Sequence, residues 1–461
     1  MKNKLFISIY CGLMILLVSC NNYLDVKPKG KIIPETAEDF STIIHYWLDQ
    51  IEKGRDDVII PNPEVMTTLE MFADDLNATL ASNFGYTSIY VGSAINKNQA
   101  TYKTLYSVIK DCNMVIGNMD DTESDLARTL LGTAWSIRSI CYYNLMQRYC
   151  EPYQPETAKE TLGLPLVDDF DMEAKPARAN LKETAEFIEE GFRKALSYNV
   201  SNEDFIFTSS VTKAYFARFF FWTQNWSSAI TYAKEVLEKY PMLEADEYVE
   251  AINQKQAKAH NVIIRSFTMD DDIGTMSYAT AQADIKSRPV DRNLVDLFAA
   301  TDNDVRRKCN YDSKRIVNKI ITTKFRSEEL CLIIAEAHAH LNQETDALGY
   351  LNQLRSKRIT QDYIAYTIDN LPEVFQQNIK TDATGIPLTK LMSAILCERR
   401  KELFVEGDRW FELKRNGRPE FWVAAKGKKF ITEKYLYTFP IPKADIRLFP
   451  DLLIQNPGYI E

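Results

Sequence analysis

Apolar residues recur every three or four positions through most of the chain, the spacing of helices with one buried face. The spacing predicts helices over 36–59 and 99–120; in the second, Tyr102, Leu105, Tyr106, Ile109, Cys112 and Val115 fall on one stripe. A stronger pattern covers 127–149, where Leu130, Leu131, Ala134, Ile137, Ile140, Cys141 and Leu145 form a broad apolar face. Residues 181–198 are helical again. Residues 388–416 read as a long helix to Val405, a break at Gly407 and a short helix starting near Asp408. Elsewhere the periodicity fades. Residues 60–98 carry Pro61, Pro63, Gly85, Gly92 and many Asn, Ser and Thr, and predict loop. Residues 150–180 hold four prolines and read as irregular. Residues 256–325 alternate short apolar runs such as Val262-Ile263-Ile264 with Asp270-Asp271-Asp272, Gly274 and Pro289, predicting loops and short strands. The tail from Tyr435 reads as extended.

An internal repeat decides the architecture. Ala217 and Ala229 are twelve apart, with Val236 and Pro241 beyond them; Ala335 and Ala347 repeat the arrangement, with Leu351 and Leu354 beyond. The matched alanines share one offset of 118 residues. Small residues twelve apart let two helices of a tetratricopeptide-like hairpin approach closely, and the later apolar residues fill the seam. The pattern lacks the signature Trp and Gly of that repeat. A third pair, 127–149 with 181–198, fits less well. The expected fold is therefore mainly α, a tetratricopeptide-like helix-pair scaffold over about 127–241 and 326–358. A loop-rich, irregular lobe over about 60–98 and 256–325 completes it.

The first residues are organised differently. Lys2 and Lys4 precede an apolar run from Leu5 to Val18, which ends in Ser19-Cys20 and the polar Asn21-Asn22. Positive start, short apolar middle and small residues before a cut site describe a secretory signal peptide. The run is shorter than the roughly 20 apolar residues a spanning helix needs. Its Leu-x-Ser-Cys ending resembles the bacterial lipobox, which implies cleavage before Cys20 and acylation of its thiol. Acyl chains add about 0.8 kcal/mol of membrane affinity per buried methylene. The expected parts are a leader over 1–19, a lipid-anchored tether over 20–35 and one domain over 36–461.

Net charge is −9, and falls to −11 without the two leader lysines. That argues against nucleic acid, which calls for a basic face. Eight cysteines are present; beyond Cys11 and Cys20, the remaining six are far apart and sit mostly in apolar helical stretches. They read as buried free thiols, with one or two disulfides the alternative in an oxidising compartment.

Catalytic patterns are missing. No Gly-x-Ser-x-Gly, phosphate-cradling glycine loop, dinucleotide fingerprint or Cys-x-x-Cys pair occurs. His338 and His340 are two apart on an expected helix and diverge. Asp270-Asp271-Asp272-Ile273-Gly274 and Asp302-Asn303-Asp304 lack the full spacing of a calcium loop. Glu398, Glu402 and Glu406 stand on one helical face beside Arg399, Arg400 and Lys401, which reads as a salt-bridged helix rather than a glycosidase's opposed acid pair. No catalytic residue, metal ligand or cofactor is assigned.

Several segments resemble the SusD/RagB family. They are Tyr23-Leu24-Asp25-Val26 after Cys20, Ala134-Trp135-Ser136-Ile137-Arg138-Ser139 with Tyr142-Tyr143-Asn144-Leu145, Asn293-Leu294-Val295-Asp296-Leu297-Phe298, and Leu351-Asn352-Gln353-Leu354-Arg355. The most specific runs from Glu398-Arg399-Arg400-Lys401-Glu402-Leu403-Phe404 through Gly407-Asp408-Arg409-Trp410 to Arg415; Pro440-Ile441-Pro442 and Gln455-Asn456-Pro457-Gly458-Tyr459 follow it. Tyr149-Cys150-Glu151 departs from the family, where a Gly-Asp pair is common. The resemblance implies a non-enzymatic surface lipoprotein of the outer membrane. Such proteins hold an oligosaccharide, or in some members a peptide, over a SusC-like TonB-dependent transporter. The alternatives are a lipid-anchored glycan hydrolase and a purely structural repeat scaffold.

The family's binding loops carry no motif, so the ligand site is sought by chemistry. Loops over a rigid scaffold carry binding, and rings beside hydrogen-bonding groups suit sugars. The candidate ligand residues are Asp74, Asp75, Asn77, Tyr86 and Tyr90 on one loop, with Asp271 and Tyr278 on an opposite wall. Solvated loops, or contacts to the transporter, are the competing reading.

Overall fold

The computed structural model describes residues 34–53, 59–81, 100–169, 175–254, 259–266, 275–298, 303–321, 323–425 and 427–459. The expected leader, Cys20 and most of the tether lie outside these residues. Helix α1 (Ala37–Glu52) opens on a capping box: the Asp39 backbone N–H donates to Thr36 Oγ1 at 3.3 Å, and the Thr36 N–H to Asp39 Oδ2 at 3.1 Å. Helix α2 (Pro63–Phe72) corrects the reading of 60–98 as loop throughout. Asn62 Oδ1 caps the N–H groups of Glu64 and Val65, and Pro63 occupies the first turn, where its missing N–H costs nothing. The proline taken for a breaker opens the helix.

Helices α3 (Ala100–Asn118), α4 (Asp125–Tyr149) and α5 (Leu181–Ser197) pack in succession. Between α4 and α5 the proline-rich stretch forms a two-stranded antiparallel ribbon, β1 (Leu162–Pro165) with β2 (Arg178–Asn180). Helices α6 (Ser209–Trp222) and α7 (Trp226–Lys239) form the first expected hairpin. Then come α8 (Ala245–Ile252), β3 (Val262–Arg265), α9 (Thr275–Lys286), α10 (Arg292–Val295), α11 (Val305–Asn310) and β4 (Lys324–Arg326), with β3 and β4 antiparallel. Helices thus occupy much of a segment read as loops and strands. The second hairpin is α12 (Ser327–His340) with α13 (Glu344–Ser356).

The hairpins match in detail. Ala217, Ala229, Ala335 and Ala347 are all fully buried. Gln224 and Asn342, again 118 apart, both take the left-handed backbone, φ 61° and 57°, that turns one helix into the next. Helix α7 packs directly on α12, so the two repeats stack. Helix α14 (Lys390–Glu402) packs on α12 and α13 and is followed by α15 (Arg409–Arg415). The chain ends with a hairpin the periodicity did not show, β5 (Phe421–Ala425) with β6 (Lys428–Thr432), and a short helix α16 (Lys443–Leu448) in the tail read as extended.

The main core runs through α1, α3 to α7 and α12. A separate apolar core, including Met71, Leu76, Ala281, Ile285, Leu294, Phe298 and Phe404, lies under the irregular lobe. Cys112, Cys141, Cys150, Cys309, Cys331 and Cys397 are all free thiols. Among the described residues no helix is long and apolar enough to cross a membrane.

Candidate functional site

The turn between α14 and α15 organises the charged centre of the molecule. Val405 and Gly407 both have positive φ, 58° and 78°. That is unstrained for glycine and costly for a β-branched residue. The Gly407 N–H donates to Glu70 Oε1 at 2.7 Å, which ties the turn to α2. The reversal brings Asp408 back onto Arg399, whose Nε donates to Asp408 Oδ2 at 2.8 Å.

Glu398, Glu402 and Glu406 are ion-paired, but mostly across elements rather than along their helix. Lys401 is the helical partner of Glu398, at 2.5 Å. Glu398 also accepts from Arg306 Nη2 at 2.6 Å. Glu402, fully buried, takes both arms of the Arg358 fork at 3.0 Å, Arg326 Nη1 at 3.0 Å and Arg306 Nη1 at 3.4 Å. Glu406 accepts from Arg326 Nη2 at 2.8 Å and Lys319 Nζ at 2.6 Å. Burial alone drives these carboxyls up, but the facing cations outweigh it. Lys401, Arg306 and Arg355 hold Glu398 at about 2, and Arg358, Arg326 and Arg306 hold Glu402 well below its ordinary value.

This network absorbs two of the expected ligand residues. Asp74 accepts from Arg409 Nε at 2.7 Å, Arg409 Nη2 at 3.1 Å and Asn378 Nδ2 at 2.8 Å; Asp75 accepts from Arg400 Nε at 2.6 Å. Their carboxylates are covered and engaged from the far end of the chain, so they stand as structural anchors rather than on an open loop. Asn77 donates to Asp291 Oδ2 at 3.0 Å and caps a short turn through Leu80. Tyr278 lies on α9, not on a loop; it is buried, and donates to Gln282 Oε1 at 3.1 Å. The two expected walls do meet: the Asn77 N–H donates to Pro289 O at 2.8 Å and the Asp291 N–H to Asp75 O at 2.7 Å. At these residues they form packed structure instead of a cleft. Tyr86, Tyr90 and Asp271 lie outside the described residues.

A partly open cavity of about 120 Å³ sits where α4, α6, α14 and α15 converge. Its wall includes Arg218, Trp222, Glu329, Arg399, Asp408 and Arg415. Arg218 Nε donates to Glu329 Oε1 at 2.8 Å. Burial opposes the charge on Arg399, yet Asp408 and Glu329 hold its guanidinium above the ordinary value. Burial pushes the neighbouring Glu412 carboxyl up to about 7, against the pull of Arg409. Helical spacing marks Arg399 as part of a salt-bridged helix, and does not bring it together with Arg218 and Glu329 in one cavity. The visible signal was a run of charges inside otherwise apolar helices. Among the described residues no group of three or more His, Cys, Asp or Glu is placed to hold a metal ion. His338 and His340 do diverge: one contacts Gln343 at 2.5 Å, the other stacks on Trp226 with ring centroids 4.1 Å apart.

Two family models match the sequence. One, the SusD family, covers residues 305–459; the other, described as starch-binding associating with outer membrane, covers 22–221. The chain belongs to the SusD family. SusD superfamily structures share its fold. One from Bacteroides vulgatus superposes with a TM-score of 0.72 at 18% identity, covering 93% of this chain and 100% of that one. One from Bacteroides thetaiotaomicron gives 0.69 at 18%, covering 92% and 100%. A laminarin binding SusD-like protein gives 0.61 at 16%, covering 92% and 99%. No curated protein matches. The charged turn and α15 fall inside the SusD segment, while α4 and α6 fall largely in the other.

Proposed function

We propose that this SusD-family chain is a lipoprotein of the outer-membrane surface, anchored through acylated Cys20. It captures an oligosaccharide and delivers it to a SusC-like TonB-dependent transporter, and it is not an enzyme. The observation that carries the reading is the family match over 22–221, described as starch-binding associating with outer membrane. A laminarin-binding relative of the same fold supports a glycan over a peptide. The leader, with Cys20 after Leu17-Val18-Ser19, supports the anchor. The ligand site is proposed to include Tyr86, Tyr90 and Asp271, together with Asn77.

A glycan and peptide array with the detergent-extracted protein tests the ligand class. Saturable binding of an oligosaccharide, recovered intact, is expected; binding of peptides alone would overturn the glycan reading. Tyr86→Ala with Tyr90→Ala should weaken the glycan severalfold without changing stability, since stacked aromatic contacts contribute about 0.5–1.5 kcal/mol each. Unchanged affinity removes both tyrosines from the site. Cys20→Ala should release the protein from membranes, and persistent association in high salt refutes the anchor.

A further inference from the structure

The hairpin β5–β6 has two unlike faces. Directly paired residues of an antiparallel ribbon share a face, and successive residues alternate between faces. Val423 pairs with Phe430, and both pack against Ala78 on the short turn Ala78–Leu80. The next pair, Trp422 with Ile431, therefore points the other way. Trp422 is 59% exposed and Ile431 45%, against 1%, 3% and 9% for Trp410, Trp222 and Trp47. Lys429 stands on this outer face as well: it pairs with Ala424, and its Nζ lies 5.1 Å from the centroid of the Trp422 ring. The packed inner face holds the ribbon in place. Its outer face is a fixed apolar surface with a cation on it.

Charge on the ribbon runs against that of the molecule. The chain carries a net −9, yet residues 421–432 hold Lys426, Lys428 and Lys429 and no acid. Lys428 and Lys429 are exposed. The nearest acids in sequence, Glu420 and Glu433, stand at the base of the ribbon, where Glu433 hydrogen-bonds the Tyr435 side chain. This composition separates the occupants such a face could take. Buried cores of protein interfaces are depleted in lysine. A sugar stacks on an open ring face, whereas Lys429 already stands over that of Trp422. Tryptophan beside lysine suits the boundary of a bilayer. There the indole sits at headgroup level, and a lysine stem lies along apolar surface with its ammonium outward.

We propose that the outer face of β5–β6 is a membrane contact that lies on an anionic lipid surface, with Trp422 and Ile431 at headgroup depth and Lys428 and Lys429 against the lipid phosphates. Apolar burial and attraction to anionic lipid act together at such a contact. An acyl tether alone leaves a protein free to turn above the membrane. A second, rigid contact gives it one orientation, with the ribbon facing the lipid. For its place in the cell the inference rests on the proposed outer-membrane anchoring; the contact itself needs no acyl chain.

Tryptophan fluorescence of the full-length protein tests this, on vesicles of phosphatidylcholine alone or with added phosphatidylglycerol. Emission is read with and without phosphatidylcholine brominated on its acyl chains. On the anionic vesicles emission should shift to the blue and the bromines should quench it; Trp422→Phe should abolish both changes. At one fixed phosphatidylglycerol content, Lys428→Gln with Lys429→Gln should shift the balance of quenched and unquenched protein by about fivefold per lysine. Tm should not change, because both side chains are exposed. Sedimentation with the vesicles reports the acyl anchor separately: an anchored protein pellets whether or not Trp422 is quenched, and an unanchored one still gives the Trp422 signal. Equal quenching on neutral vesicles, quenching that survives in Trp422→Phe, or a balance unmoved by the lysine substitutions would overturn the proposal. No quenching on any vesicle would overturn it too, and leave a protein as the occupant of this face.

Discussion

Two buried regions of this molecule are built on opposite principles. Around α5 to α7 the interior is aromatic: Phe216 stacks on Phe220 with centroids 4.2 Å apart and on Phe192 at 5.1 Å, and Tyr232 closes the cluster at 4.7 Å. Around α14 the interior is ionic, with Glu402, Arg306 and Arg358 at 0% exposure. Apolar contacts are non-directional and respond mainly to volume. Ion pairs between forked guanidinium groups and carboxylates demand one geometry. The aromatic region therefore needs only shape to stack its hairpins. The ionic region keys the segments carrying Asp304, Arg326, Glu328, Arg358 and α14 to one another, tying α14 and the segment before α11 to the two ends of the second hairpin. Buried pairs add little net stability over apolar packing, whereas breaking one leaves an uncompensated charge.

The comparison is broken hardest at Glu402. Glu402→Ala leaves Arg306, Arg326 and Arg358 without a shared acceptor and should cost about 3–5 kcal/mol, read by urea unfolding. A loss below about 1 kcal/mol would mean the ionic core rearranges as freely as an apolar one. Phe216→Leu in the aromatic cluster should cost less, roughly 1–2 kcal/mol, because neighbouring rings can close around a smaller apolar group. A cost equal to that of Glu402→Ala would erase the distinction between the two regions.

The same contrast separates what the sequence made legible from what it did not. Periodicity exposed α1, α3, α4 and α5, because a helix buried on one face writes its own contacts into neighbouring residues. The 118-residue offset exposed the repeat, and the turn residues Gln224 and Asn342 obey it too. The ionic core was legible only in half. The spacing of Glu398, Glu402 and Glu406 announced ion pairing, but the Glu402 partners Arg358 and Arg306 stand 44 and 96 residues away. Asp74 and Asp75 looked like loop residues for the same reason, since Arg409 and Arg400 lie 335 and 325 residues further on. Helix α2 was hidden by Pro63, whose role depends on whether it stands inside a helix or at its first turn. The cavity was invisible because its wall is drawn from α4, α6, α14 and α15, which lie far apart in the sequence.

The smallest effect sharpens the comparison through pH. Burial, with Asp75 adding to it, raises the Glu70 carboxyl from its ordinary 4.5 to about 8. The folded chain then holds a proton that the unfolded chain has released. This contribution is fully present below pH 4.5 and is lost as pH rises toward 8. Glu398, held at about 2, acts in the opposite direction: its contribution is present above 4.5 and is lost as pH falls toward 2. Glu70→Gln keeps an acceptor for the Gly407 N–H, which Oε1 takes at 2.7 Å, and removes the titration. Its Tm should exceed that of the unaltered chain by about 1–3 °C at pH 8.5. It should not exceed it at pH 4, where Glu70 is already mostly protonated, and the acid limb set by Glu398 should remain. A Glu70→Gln variant that follows the unaltered chain from pH 6 to 8.5 would show that Glu70 is charged in the fold, with the α2–α14 junction holding one more anion than its geometry supports.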